Sequence, residues 1–420
     1  HWLFLEESPH FFLGLLESCS NKVKKYFPSL LELVIFAIPV PASIIINRYL
    51  GPYDRGILAA IILVPSMIAS ILTFNWDNIL KNKVVRLERD ALSPILSTTV
   101  YFFSLQVVAG QVVVLLVYYF YNLGEYQYLA ILFGSIAIPL QLLYNYLNSL
   151  AVCLVENIRY YLLRISGLLF FVIATLTLVY LDGLSISSAF FLNQIISLSS
   201  IIFFLFFLYP ILNFSGVEFK LFHKIKFSHH FIGNALNVLS ANIDLMFFLF
   251  IGNNALTGAY ATFKILDVPF KSLSLGYFNY LTRSLDWSDI KKIRKSFSGI
   301  FFIYLLLVIT YFLFIPYVED VITFIFGGAF GEFLFLLPYM LLYLATNTFS
   351  DYISSNILLA YPADFYARYL LILSLIKVLL AILASTFLDV QLFLISLAII
   401  HITASLIGGY YIFFKKSLSE

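Results

Sequence analysis

Lys264, Asp267 and Lys271 stand at i, i+3 and i+7 in a stretch that is otherwise almost wholly apolar, a spacing that sets all three on one face of a helix. An ammonium group surrounded by hydrocarbon costs at least a few kcal/mol, so such a side chain turns toward a wet cavity or an opposite charge. Two chemistries follow. Lys264, Lys377 and Lys271 can act as compact point charges that hold a phosphoryl group. Alternatively they are neutralised internally, Lys264 by Asp244 and Lys271 by Asp267 four residues earlier. Both hold if an internal pair opens as an anionic ligand arrives. Asn234 and Asn237 share a stripe with Asp244, and Gln141, Asn145 and Asn148 follow at i, i+4 and i+7. Such stripes offer neutral donors and acceptors suited to sugar hydroxyls, or hydrogen bonds between helices worth about 1 kcal/mol each. Asp244, Asp351 and His401 are candidates to bind a coupling proton or sodium ion.

The elements that must position these groups are membrane-spanning helices. Of 420 residues 61% are hydrophobic and 11% charged, with mean hydropathy +0.95, whereas soluble domains carry roughly a quarter charged residues. Apolar runs long enough to cross a bilayer fall at 30–48, 57–79, 94–121, 128–151, 163–181, 185–209, 230–251, 255–281, 299–317, 334–358, 367–387 and 390–413. Twelve spans therefore divide into a six-helix bundle over 30–209, a basic linker over 210–229 and a second six-helix bundle over 230–416. Residues 1–29 read as an amphipathic stretch lying in the interface; the chain begins with His1, as a trimmed chain or fragment would, and shows no signal-peptide pattern.

Lysines and arginines orient the spans, because basic loops stay on the cytoplasmic side. Lys22, Lys24 and Lys25, the 81–89 loop, Arg159 and Arg164, the 220–226 and 283–295 loops, Arg368, and Lys415 and Lys416 all fall on one side. The other side has Arg48 and Arg55 among acids such as Glu125, Asp182, Glu319, Asp320, Glu332 and Asp389. Both termini are thus expected in the cytoplasm. Lys264 then lies roughly 14 Å below the outer surface, near the middle of a hydrocarbon core about 30 Å thick. Lys377, in a span of opposite direction, reaches a similar depth.

Catalysis has little support in the sequence. No P-loop, GxSxG, HExxH or EF-hand pattern occurs. Cys19 and Cys153 are far apart and form no metal or disulfide motif. No cofactor, metal or nucleic acid is implied, and external loops are too short for a catalytic domain, which disfavours a polysaccharide polymerase or ligase. The reading is of a transporter, not an enzyme.

The two halves also resemble each other. Leu50-Gly51-Pro52-Tyr53-Asp54-Arg55-Gly56 joins spans 1 and 2, and Ile251-Gly252-Asn253-Asn254-Ala255-Leu256-Thr257-Gly258 joins spans 7 and 8. Each is expected to be a tight hairpin turn, with Gly51, Gly56, Gly252 and Gly258 as its turn residues. Pro65 and Pro269 follow, and then a basic loop. This parallel six-plus-six repeat is one that transporters use to place a substrate between two bundles. Prolines 39, 41 and 269 are candidate flexing points for alternating access.

The Leu50-to-Gly56 turn, Asp244 followed by Gly258-Ala259-Tyr260-Ala261 and Pro269, and Phe326-Gly327-Gly328-Ala329-Phe330 together resemble the O-antigen (Wzx-type) polysaccharide flippases of the multidrug/oligosaccharidyl-lipid/polysaccharide exporter superfamily. Phe330 stands where that family usually has Tyr. The resemblance spans residues 30–416 and implies a flippase that moves undecaprenyl-diphosphate-linked oligosaccharide, an O-antigen, capsule or exopolysaccharide unit, across the bacterial inner membrane. Polysaccharide polymerase and assembly proteins are its implied partners. Peptidoglycan-precursor flippases of the superfamily carry an Arg-Asp pair where this chain has Ala42 and Ser43, so that subgroup is disfavoured. A multidrug or metabolite antiporter of the same superfamily is the alternative, and the cationic character of the internal charges argues against cationic drugs.

Overall fold

The structure, a computed structural model, describes residues 34–73, 92–120, 123–155, 157–208, 238–268, 320–360, 363–387 and 389–414, with a few isolated positions besides. Every regular element among them is helical, as a bilayer requires of segments that must satisfy their own backbone groups. In the N-terminal half these are α1 (Pro39–Leu72), α2 (Leu92–Phe120), α3 (Gln127–Leu154), α4 (Asn157–Tyr180) and α5 (Ile186–Leu208). The C-terminal half supplies α6 (Ile243–Phe250), α7 (Asn254–Phe263), α8 (Leu337–Ala360), α9 (Ala363–Phe387) and α10 (Val390–Phe414). Seven helices among the described residues are long and apolar enough to cross a membrane. The chain is an all-α membrane protein. The segments 1–29 and 210–229, Asn234, Asn237, Pro269 and nearly all of span 9 lie outside the described residues.

In the first bundle α1 packs on α3, α4 and α5, around a stacked Phe133–Phe190 pair at 4.2 Å. Two prolines inside these helices each free a carbonyl four residues earlier, and α2 answers both. Pro65 leaves the Ile61 carbonyl open, which the Tyr118 hydroxyl approaches at 3.3 Å. Pro139 leaves that of Ser135, and Gln111 Nε2 donates to it at 2.7 Å. Both bends are thereby pinned. In the second bundle α8 packs along α10, and Phe247 stacks on Phe393 at 3.7 Å.

The bundles meet chiefly where α7 lies against α1. Gly51 (φ 70°) and Gly252 (φ 75°) make the two hairpin turns, in a left-handed conformation that a side chain would strain. Helix restarts by different devices after each. Pro52 takes the first helical position, where its missing N–H costs nothing, whereas Asn253 caps α7 by accepting from the Leu256 amide at 3.0 Å. Gly56 and Gly258 are not turn residues, as the sequence suggested; each sits one turn into the second helix of its hairpin. Their hydrogens face the opposite hairpin. A Cβ on Gly56 would meet the Asn254 carbonyl oxygen at 1.8 Å, and one on Gly258 would meet that of Pro52 at 1.8 Å. The contact is reciprocal between equivalent positions of the two repeats. Arg48 Nη1 adds a bond across the bundles to the Phe324 carbonyl at 3.1 Å.

Two further segments depart from the sequence reading. Span 8 is not one α-helix, because α7 tightens into a 3₁₀ turn over Lys264–Asp267. Between the expected spans 9 and 10 the chain is not an irregular loop: it is helical over 320–326, breaks at Gly327 (φ 96°), and continues as a 3₁₀ segment over Gly328–Leu336. At this hairpin end, Phe120, Tyr128, Tyr180, Phe250 and Phe324 are all exposed. A ring of outward aromatic side chains marks a membrane–water interface.

Candidate functional site

The charged residues of the second bundle converge on one cavity. It has a volume of about 120 Å³ and is lined by Ser240 and Ala241 before α6, Lys264 and Lys271 after α7, Asn347, Asp351 and Ser354 of α8, and Leu370, Leu373, Ser374 and Lys377 of α9. Lys264 arrives from the start of the 3₁₀ turn and Lys271 from beyond its end. Lys377 and Ser374 share a face of α9 at i−3, as do Asp351 and Asn347 of α8 at i−4.

Two ion pairs organise the wall. Lys264 Nζ lies 2.8 Å from Asp244 Oδ2, and Lys271 Nζ lies 2.7 Å from Asp267 Oδ2. The pairs have a direction. The side chains of Lys264 and Lys271 are 24% and 44% exposed, while those of Asp244 and Asp267 are 0% and 2% exposed. The carboxylates therefore stand behind, and the ammonium groups face the cavity. Each carboxylate is fixed from its far side. Tyr260 donates to Asp244 Oδ2 at 2.6 Å, with its ring stacked on Phe248 at 4.1 Å; Thr348 donates to Asp267 Oδ1 at 2.9 Å. Lys377 is buried and reaches the wall with no ion pair among the described residues. Asp351 is exposed to the cavity.

Four of the residues named from the sequence, Lys264, Lys271, Lys377 and Asp351, thus line one cavity, and Asp244 and Asp267 brace it from behind. Two others lie elsewhere. Asn145 is in α3 of the other bundle, 3.4 Å from Gln141 Nε2. His401 is fully buried in α10, and its ring lies 5.7 Å from that of Tyr343, with neither nitrogen hydrogen-bonded among the described residues. Tyr260, Thr348, Asn347 and Ser374 were not singled out from the sequence as site residues. Their signal was present, since Tyr260 precedes Lys264 by four residues and the others stand three or four from Asp351 or Lys377. The arrangement is suited to holding an anion: three ammonium groups to attract it, and hydroxyl and amide groups to orient it.

No protein-family model matches the chain, and no curated protein matches it. Solved structures do. The inward-facing conformation of a multidrug resistance MATE family transporter of the MOP superfamily is 14% identical, covers 91% of this chain and 97% of its own, and superposes with a TM-score of 0.68. The outward-facing conformation of such a transporter is 14% identical over 93% of this chain and 94% of its own, with a TM-score of 0.64. A MOP superfamily transporter from Pyrococcus furiosus, described as having a binding pocket whose reversed polarity suggests a different function, is 14% identical over 93% and 95%, with a TM-score of 0.62. The chain has the fold of these transporters, and the twelve-helix, two-bundle architecture expected from the sequence is this fold.

Proposed function

We propose that this chain is a transporter that works by alternating access and carries an anionic, lipid-linked substrate, best read as a diphosphate-linked oligosaccharide, across a bacterial inner membrane with both termini in the cytoplasm. One observation carries the substrate class. The cavity presents ammonium groups to its lumen and keeps two of its three acids behind them. A cation entering would meet Lys264, Lys271 and Lys377 first; a diphosphate would be met by the same groups as ligands. The serine and asparagine side chains between them suit the hydroxyl-rich part of a glycan. Of the coupling-ion candidates, Asp351 is the one that faces the cavity; Asp244 is held by Lys264 and Tyr260, and His401 is buried behind Tyr343. Glycan polymerase and assembly proteins would act on the product.

A second reading, a multidrug or metabolite antiporter, is favoured by the similar structures, two of which are described as multidrug resistance transporters. A shared fold hosts different substrates, so polarity of the site must decide. Proteoliposomes holding the parent, Lys264→Ala or Lys377→Ala at equal amounts would be tested with a fluorescent undecaprenyl-diphosphate oligosaccharide and, in parallel, with an ethidium-like cation. Movement of the lipid by the parent, lost in both variants with folding intact, supports the flippase reading. Export of the cation with no movement of the lipid replaces it with the antiporter.

A further inference from the structure

The charged cavity has an apolar neighbour on its hairpin side. Ser240 and Ala241 face Ser374 and Lys377 within it. One turn further along the same two strands of chain, a second pocket of about 240 Å³ opens between α6 and α9, lined wholly by apolar side chains including Ile243, Met246, Phe250, Val378, Ala381 and Ile382. The order of these pairs shows that α6 and α9 run parallel toward the hairpin end. Lys377 borders the first pocket and its neighbour Val378 the second, so the polarity changes from ammonium to hydrocarbon within one residue of α9. Phe250 is 69% and Ile382 60% exposed, which opens this seam sideways to the bilayer. Met246 and Phe250 also border a third space, an apolar cleft of about 460 Å³ shared with Leu63 and Met67 of α1 and Val117 and Phe120 of α2.

We propose that the seam between α6 and α9 is the binding site for the hydrocarbon chain of an anionic lipid whose head group occupies the charged cavity. The inference rests on the reading of that cavity as a site for an anionic head group. The occupant follows from the change in polarity: a soluble anion would leave the apolar seam without a ligand, and a neutral lipid would leave the lysines without one. Only an amphiphile with its charge at one end satisfies both along one line. The seam supplies register more than affinity, because a chain leaving the bilayer for an apolar groove exchanges one hydrocarbon surface for another. The lysines hold the head, and the seam lets the chain remain at the bilayer side of α6 while the head lies inside.

The test is photolabelling of the reconstituted full chain with three probes that carry the photoreactive group at the same place in the chain: a polyprenyl diphosphate, the corresponding polyprenol, and phosphatidylcholine. The diphosphate probe is expected to label peptides containing 243–250 and 378–382, the other two to label them weakly. Ile382→Trp, which narrows the seam from a lipid-facing position, is expected to lose that label. Binding of water-soluble methylenediphosphonate, read as a signal lost in Lys377→Ala, reports the head-group site separately. If it binds while the lipid label lands on other helices, or lands on the seam equally from phosphatidylcholine, the seam assignment is overturned and the cationic cavity stands. If neither diphosphate binds, both fall.

Discussion

Among single side chains, the informative contrast is between the two members of an ion pair. Asp244 is fully buried and Lys264 a quarter exposed, so removing one is not equivalent to removing the other. In Asp244→Asn the ammonium loses its carboxylate but still meets the cavity, and we expect a loss of about 2 kcal/mol, below the range for fully buried pairs. In Lys264→Met the carboxylate stays buried without its countercharge, and the expected loss is about 4 kcal/mol. Thermal unfolding of the two variants in detergent checks the order; equal losses would mean that the pair is not directional. These pairs could be read in advance from 264, 267 and 271 and from the position of Asp244 in the facing helix. Which member points at the cavity could not, since spacing fixes a shared face but not which end of a pair is desolvated. The same limit applies to Asn145, whose stripe in α3 has the pattern of a lining and the observed partner of an intrahelical pair.

Helices and turns were legible to different degrees. Gly-containing hairpins at 51 and 252 stood out because one sequence pattern occurs twice, and both turns have the positive φ that glycine permits. The role of Gly56 and Gly258 was hidden, because a glycine required by a neighbouring helix looks in sequence like one required by its own turn. The distinction can be measured. Gly51→Ala strains one backbone position with nothing within 4 Å of the new methyl group, at a cost of about 1–2 kcal/mol. Gly258→Ala drives a methyl group into the Pro52 carbonyl, a clash between two backbones that can be relieved only by parting the hairpins, at about 1–3 kcal/mol. In a background without Cys19 and Cys153, a cysteine at Asn254 should react faster with a water-soluble thiol reagent in Gly258→Ala and at the parent rate in Gly51→Ala. The prolines were legible as bends but not as locks. Tyr118 and Gln111 donate to the carbonyls freed by Pro65 and Pro139, and no periodicity announces such a partner.

For the molecule as a whole, composition was enough to assign the class, and the alternation of basic loops gave an even number of spans. The architecture follows from the same constraint that made it readable, since a bilayer admits helices and little else. The orientation has its own test. Single cysteines at Gly124 and Gly183, near Glu125 and Asp182, should be labelled by an impermeant reagent on intact cells, and cysteines at Asn82 and Ser417 only after permeabilisation. The reverse pattern would invert the molecule and place the reciprocal glycine contact on the cytoplasmic side. What the sequence left open is where hydrocarbon ends and charge begins inside the second bundle, because that boundary is made by two segments more than 100 residues apart.

The 3₁₀ turn over Lys264–Asp267 is also a measure of angle. A 3₁₀ helix advances about 120° per residue and an α-helix about 100°, with rises of about 2.0 and 1.5 Å. Over these four residues the difference amounts to a rotation of about 80° and a shortening of about 2 Å. Relaxing that one turn to α geometry would therefore turn Lys271 about the helix axis toward the face that an i, i+7 spacing shares with Lys264, and out of its present place beside Asp351 and Lys377, without moving α7 or the hairpin before it. The distance between the two ammonium groups, and with it the size of anion that they can grip together, is set by the winding of a single turn.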